Sequence, residues 1–168
     1  MSQRRLLRLA VLLAVAVIAH FYLRRDGAAP AVASAQREAV RLGPCDVTRV
    51  VDGDTLTVRC AGRKERVRML QIDTPEREQP LYLQAGDALE LAIAGRRVEL
   101  ELGPEPRDDY GRLLAYVFAD GENLNLRMIR DGWSPYFDRY GAGAYPREFA
   151  DAERAAREAA RGIWRARR

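Results

Sequence analysis

Hydrophobic positions along this chain change period several times, and each change marks an element. From residue 45 three segments, roughly 46–51, 54–59 and 64–72, are rich in β-branched and apolar residues and read as strands. Val50-Val51 and Leu56-Thr57-Val58 flank Asp52-Gly53, a strong signal for a hairpin with a two-residue turn. The third segment alternates poorly, but Val67, Met69, Leu70 and Ile72 supply its apolar content, and Pro75 biases Thr74 toward an extended conformation that ends it. Pro80 suits a helix start, and Leu81, Ala85, Leu89, Ala92 and Ile93 recur at helical spacing up to Gly95. A strand over 97–102 carries Val98, Leu100 and Leu102 on one face. An acidic, proline-rich GPEPRDD loop separates it from a strand at 113–119. Asn123 opens a short helix with Leu124, Leu126, Met128 and Ile129, stopped by Gly132. A Trp/Tyr/Gly-rich loop follows to Tyr145, and Pro146 opens a last helix with Phe149, Ala152, Ala156 and Ala159 on one face. Five strands, a helix after the third and two more at the end make an α+β arrangement around a small barrel.

The first 44 residues follow other rules. Three arginines precede an apolar run, and Leu9 to Leu23 carries no charge before Arg24-Arg25. Fifteen such residues are short for a full span but suit a signal peptide or signal-anchor helix over 1–25. Ala33-Ser34-Ala35 resembles a small-residue cleavage site, though it lies well past the apolar run. An uncleaved anchor and a cut after Ala35 both remain open. Residues 26–44 read as a linker, 45–164 as the domain and 165–168 as a basic tail. The expectation is an exported domain, held at a membrane or secreted.

Charge refines this picture. The net +4 owes everything to the N-terminal segment, because residues 26–168 carry 23 basic and 24 acidic side chains. A polyanion site on the domain must therefore be a local cluster of cations rather than a general field. Lys64 is the only lysine, so those cations are nearly all arginine, the better bidentate partner for phosphate. The two cysteines suit an oxidising compartment. A two-residue turn at Asp52-Gly53 places Cys45 opposite Cys60 as a hydrogen-bonded pair about 5.5 Å apart, within reach of a disulfide. A bulge would break that register, and two free buried cysteines are the alternative.

The only histidine, His20, lies in the N-terminal apolar run. That removes Ser-His-Asp and Cys-His catalysis and histidine-ligated zinc, and two cysteines are too few for a thiolate metal site. Carboxylates, arginines, hydroxyls and backbone oxygens remain, which are the ligands of a hard cation and the partners of a phosphate. The same elimination suits a chain that is not an enzyme.

Three stretches carry candidate chemistry: Asp52-Gly53-Asp54-Thr55, Arg68 through Asp73-Thr74-Pro75-Glu76, and Asp109-Tyr110-Gly111-Arg112. Taken together and in this order, over about residues 45–164 and ending in Gly162-Ile163-Trp164, they resemble the staphylococcal nuclease (thermonuclease) family. The resemblance implies a five-stranded OB-type β-barrel with three helices. It implies that Asp54, Asp73 and the Thr74 carbonyl hold Ca2+, that Glu76 activates the attacking water, and that Arg68 and Arg112 bind the phosphate. Tyr110, Tyr136 and Tyr140 are the corresponding substrate-binding candidates, suited to stacking on single-stranded bases. The implied activity is hydrolysis of DNA and RNA with little sequence preference, leaving 3′-phosphates, by a monomer. One geometric difficulty accompanies this: Arg68 and Asp73 are five apart, so a regular strand would point them to opposite faces. The chain also departs from the family pattern. Asp109, beside Asp108, stands where close relatives of the archetype carry lysine, which should weaken polyanion binding. Arg77-Glu78-Gln79-Pro80 replaces a longer lysine-rich loop. Rivals from other classes are a non-catalytic nucleic-acid-binding module on the same barrel and a membrane-tethered scaffold for a protein partner.

Overall fold

The computed structural model describes residues 40–167. The expected N-terminal apolar helix, the cleavage site and most of the linker lie outside them. Among the described residues no helix is long and apolar enough to cross a membrane.

Three strands open the domain: β1 (Arg41–Val50), β2 (Thr55–Cys60) and β3 (Arg63–Met69). Helix α1 (Tyr82–Ile93) follows, then β4 (Val98–Arg107), β5 (Leu113–Ala119) and a two-residue β6 (Glu122–Asn123). Helices α2 (Leu124–Arg130) and α3 (Pro146–Glu158) come next, and a 3-10 turn over Gly162–Arg167 ends the chain. The sheet order is β3-β2-β1-β4-β5-β6, and a parallel β3–β5 pairing closes the first five strands into a barrel. Closure removes the free sheet edges that an open antiparallel sheet would expose. The expected α+β, OB-type barrel with three helices is therefore the fold.

Inward positions alternate along the strands as a half-buried sheet requires: Leu56 and Val58 on β2, Val67 and Met69 on β3, Val98 and Leu100 on β4, Ala115 and Val117 on β5 are all fully buried. Ala85, Leu89, Ala92 and Ile93 of α1 are also buried, and the helix packs against β1 and α2. Phe149 and Ala156 are the buried residues of α3, while Ala159 is exposed at its C-cap.

Several boundaries differ from expectation, each for a physical reason. β1 starts at Arg41, inside the expected linker, because Arg41 and Leu42 pair with Glu101 and Leu100 of β4. β4 runs on through Gly103-Pro104-Glu105-Pro106-Arg107, which reads as a loop. The prolines are tolerated there because the register jumps, from Leu102 against Ala115 to Arg107 against Leu113, so the intervening residues are free of the ladder. β3 stops at Met69 rather than Ile72. The first hairpin turn holds three residues, Asp52-Gly53-Asp54, since Val51 N–H donates to the Thr55 carbonyl at 2.8 Å and Val50 pairs with Leu56. A bulge between Val47 and Arg49 then shifts the register by one and restores Asp46 opposite Arg59. The two departures cancel. Cys45 and Cys60 are joined by a disulfide with Cα atoms 4.5 Å apart, the spacing of a non-hydrogen-bonded pair rather than the 5.5 Å expected.

Candidate active site

The three-residue turn sets Asp54 at the end of the barrel, facing the chain that leaves β3. Its amide donates to Asp52 Oδ1 at 3.1 Å and its carbonyl accepts from Met69 N–H at 2.8 Å, so the turn is tied to the last residue of β3. Gly53 is required there by space. A Cβ on it would lie 2.8 Å from Ala85 Cβ and 2.8 Å from Thr74 Oγ1, so only glycine lets the turn approach α1 and Thr74 this closely.

Asp54 is 5% exposed. Its Oδ2 accepts from both the Thr74 amide and the Thr74 hydroxyl at 2.9 Å, and its Oδ1 accepts from Thr55 Oγ1 at 3.1 Å. Arg68 lies on β3 opposite Thr55 and spans the two acids, with Nη1 3.2 Å from Asp54 Oδ2 and Nη2 3.1 Å from Asp73 Oδ1. Burial pushes the Asp54 carboxyl up to about 6, against the lowering pull of Arg68 and of the Thr74 amide; the nearby Asp52 raises it further.

How Arg68 meets Asp73 is now clear. After Met69 the chain turns through Gln71, whose φ of 59° lies in the left-handed region. That turn breaks the strand's alternation and brings Asp73 back beside Arg68. Arg68 itself fastens the turn, donating from Nη1 to the carbonyls of Met69 at 3.0 Å and Ile72 at 2.8 Å. Gln71 is held from the far side: its carbonyl accepts from Phe137 N–H, its Nε2 donates to the Gly141 carbonyl, and its Oε1 accepts from the Tyr116 hydroxyl. Asp73 N–H donates to Ser134 Oγ at 2.7 Å. The 133–145 loop is thus the brace behind the acidic cluster.

Arg112 precedes β5. The parallel register pairs Arg68 with Leu114, so Arg112, two residues earlier, shares Arg68's face of the sheet. Its guanidinium is held locally: Nε donates to Asp108 Oδ2 at 2.7 Å, its amide donates to Asp108 Oδ1 at 2.9 Å, and it lies 5.5 Å from the Tyr110 ring centre. Partial burial works to raise the Asp108 carboxyl, but the bonds from Arg112 outweigh it and hold the carboxyl below its ordinary value. Asp108 is therefore a fixed partner of Arg112 rather than a loose charge beside it.

The structure gathers Asp54, Arg68, Asp73 and Thr74 into one cluster. Glu76 is exposed two residues beyond Thr74, with its amide capped by Gln79 Oε1 at 3.0 Å. Tyr110 and Tyr140 are 84% and 87% exposed. Tyr136 is part of the brace: it bridges to Ile72, packs edge-on against Phe149 with ring centres 5.7 Å apart, and donates its hydroxyl to the Ala142 carbonyl.

Sequence reasoning overlooked five polar residues. Ser134 is fully buried under Asp73. Asn125, also fully buried, accepts from Val117 N–H and donates to the Leu70 carbonyl, joining α2 to the end of β3 and to β5. Its signal was legible, since Asn125 stands four residues before Ile129 on the helix's apolar stripe. Tyr145 donates to Glu101 at 2.8 Å and Glu101 pairs with Arg41 at 2.7 Å; nothing in spacing indicated this long-range set.

The donor chemistry fits a hard cation. Arg68 stands between the carboxylates of Asp54 and Asp73, and burial of Asp54 penalises an uncompensated negative charge there, so the oxygens a hard cation takes lie on either side of one positive group. Among the described residues no group of three or more His, Cys, Asp or Glu side chains gathers, so carbonyl and water oxygens would have to complete the shell.

Comparison with known proteins finds a family match and several relatives. The family described as staphylococcal nuclease homologue matches residues 66–166. A thermonuclease of Staphylococcus intermedius is 39% identical over 92 residues, 51% of this chain and 55% of that protein. An uncharacterized endonuclease of Escherichia coli O157:H7 is 34% identical over 119 residues, 70% of this chain and 74% of that protein. Endonuclease YncB of Bacillus subtilis (strain 168) is 39% identical over 92 residues, 50% of this chain and 43% of that protein. The match thus spans just over half the length of the thermonuclease.

Proposed function

Because the chain belongs to the staphylococcal nuclease family, we propose that it is a calcium-dependent nuclease that hydrolyses phosphodiester bonds of DNA and RNA with little sequence preference. The observation that carries this reading is the bridge Asp54–Arg68–Asp73, with Thr74 bonded to Asp54. Two acids and a phosphate-type cation are held at one point, and Arg112 projects from the same face of the neighbouring strand.

In this reading Asp54, Asp73 and the Thr74 carbonyl hold Ca2+, which supplies neutralising charge for the phosphodiester. Arg68 exchanges a carboxylate partner for a phosphate oxygen and, with Arg112, stabilises the charge that grows as the phosphorus becomes five-coordinate. Glu76 accepts the proton of the attacking water, a role its exposed position leaves open to solvent. The bond from phosphorus to the 5′ oxygen breaks, leaving a 3′-phosphate. Arg68 and Arg112 serve here as fixed positive charges rather than as acids, since a guanidinium is a poor proton donor. Tyr110 and Tyr140 offer exposed rings for bases. The site acts outside the cytoplasm, on a monomer anchored by residues 1–25 or released by a cut after Ala35.

The test is cleavage of single-stranded DNA, duplex DNA and RNA in Ca2+ and in excess chelator. Cutting that needs Ca2+ and falls at least a hundredfold in Glu76→Gln is expected. Cutting unaffected by chelator, or by Glu76→Gln, overturns the metal or the base assignment respectively.

A further inference from the structure

Several arginines among the described residues are matched to acids. Arg41 pairs with Glu101, Arg96 with Asp120, Arg107 with Glu65, Arg127 with Glu122 and Arg157 with Glu153. The outer face of the β1–β2–β3 sheet breaks this pattern. Arg49, Arg59, Lys64 and Arg66 line an open cleft of about 540 Å³ floored by Thr57, and no acid lines it. None of the four makes an ion pair among the described residues, and all four are exposed.

Register makes this a row rather than a scatter. Lys64, Arg66 and Arg68 are alternate residues of β3 and share one face, about 6.6 Å apart along the strand. Arg59 stands opposite Lys64, Thr57 opposite Arg66 and Thr55 opposite Arg68. The row therefore ends at the arginine that bridges Asp54 and Asp73. Asp46, opposite Arg59, marks its other limit. Glu65, between Lys64 and Arg66, faces away and is occupied by Arg107 with two bonds of 3.0 Å.

We propose that this face is a backbone track for a single strand of nucleic acid, continuous with the candidate active site. The proposal deepens the nuclease reading and rests on it. A domain whose acids slightly outnumber its bases can hold a polyanion only through such a local stripe. A row of cations in line with Arg68, at a spacing matched to successive phosphates of an extended strand, favours a nucleic-acid backbone over a flat anionic membrane.

The test uses the full chain with a fluorescein-labelled 20-nucleotide single strand in excess chelator, where cutting is absent by expectation, and reads anisotropy against salt. The variant is Arg59→Gln/Lys64→Gln/Arg66→Gln. Binding at low salt is expected to weaken about tenfold or more, and the slope of log K against log salt to shrink by about 2, from three contacts. Lys64→Glu alone, at an exposed position, is expected to weaken binding several-fold and serves if the triple variant does not fold. Unchanged affinity and slope, or a parent chain that does not bind the strand, overturns the track. So does a variant that loses binding to phosphatidylglycerol–phosphatidylcholine vesicles but keeps the strand, which assigns the face to lipid. Failure of the nuclease reading shows separately, as a chain that cuts nothing while this binding comparison still reads out.

Discussion

Arg68 lies on β3 and Arg112 just before the parallel neighbour β5, yet they are held in opposite ways. Arg68 touches Asp54, Asp73 and two carbonyls of the turn beyond β3, and those partners are in turn braced by Thr74, Ser134 and the 133–145 loop. Arg112 is held within its own loop, by Asp108 four residues earlier and the Tyr110 ring. The first arrangement couples a phosphate-binding group to the fold, so its chemistry and its stability are one property. The second is a local device that can change without disturbing the barrel. Asp108, which reads in the sequence as a repulsive charge, becomes in the structure the group that aims Arg112.

Substituting the two arginines separately tests this contrast most severely. Arg68→Gln is expected to lower kcat/KM on single-stranded DNA in Ca2+ by about 10²–10³, the loss typical of one preorganised charge donor. It should also lower Tm markedly, because it leaves Asp54 buried without its cation. Arg112→Gln should lose activity with little change in Tm. Equal losses of stability would break the contrast.

The two glycines sharpen it. Gly53→Ala forces a methyl to 2.8 Å from Ala85 and Thr74, an overpacking cost of about 1–3 kcal/mol read by denaturant unfolding. Gly111→Ala, beside Arg112, meets nothing within 4 Å and pays only for its φ of 77°, about 1 kcal/mol.

Asp54 extends the comparison to pH. Its folded pKa of about 6 lies above the unfolded 3.8, so the folded state binds more protons between those values and stability without metal falls as pH rises from about 4 to 6. Asp54→Asn should remove that fall and, at pH 7 in chelator, stabilise the protein by on the order of 1–2 kcal/mol. The two proteins should converge near pH 4. A stability difference between parent and Asp54→Asn in chelator that does not change over that range contradicts the assigned shift. The smallest effect belongs to Asp108→Ala, expected to raise KM a few-fold while costing at most about 1 kcal/mol, in line with a surface ion pair. A lower KM would restore Asp108 as a repulsive charge.

Much of the Arg112 end was legible. Asp108 through Arg112 is a turn whose residues interact within four positions, and such neighbours need no tertiary information to meet, although Asp108 read as a repulsive charge rather than as Arg112's partner. The Arg68 end was legible in composition only. Arg68 and Asp73 are five positions apart, and the left-handed Gln71 that reconciles them is stabilised by Phe137, Gly141 and Tyr116, up to seventy positions away. The first hairpin shows the same limit differently. Its turn is one residue longer than Asp52-Gly53 indicates, and a bulge near Thr48 compensates, so the two cysteines face each other through a path that local pattern does not contain.

Alternating and helical hydrophobic periods, by themselves, determined the five strands and the three helices, because burial of apolar faces is a short-range demand written residue by residue; the candidate acids and arginines came from the family resemblance of three short motifs. Barrel closure decided the rest. Parallel pairing of β3 with β5 brought the strand after Arg112 against the strand of Arg68, and the β1–β4 and β4–β5 pairings extended β1 and β4 through segments that read as linker and loop. Those placements depend on contacts between residues far apart in the chain, whose energies exist only once the sheet has closed on itself.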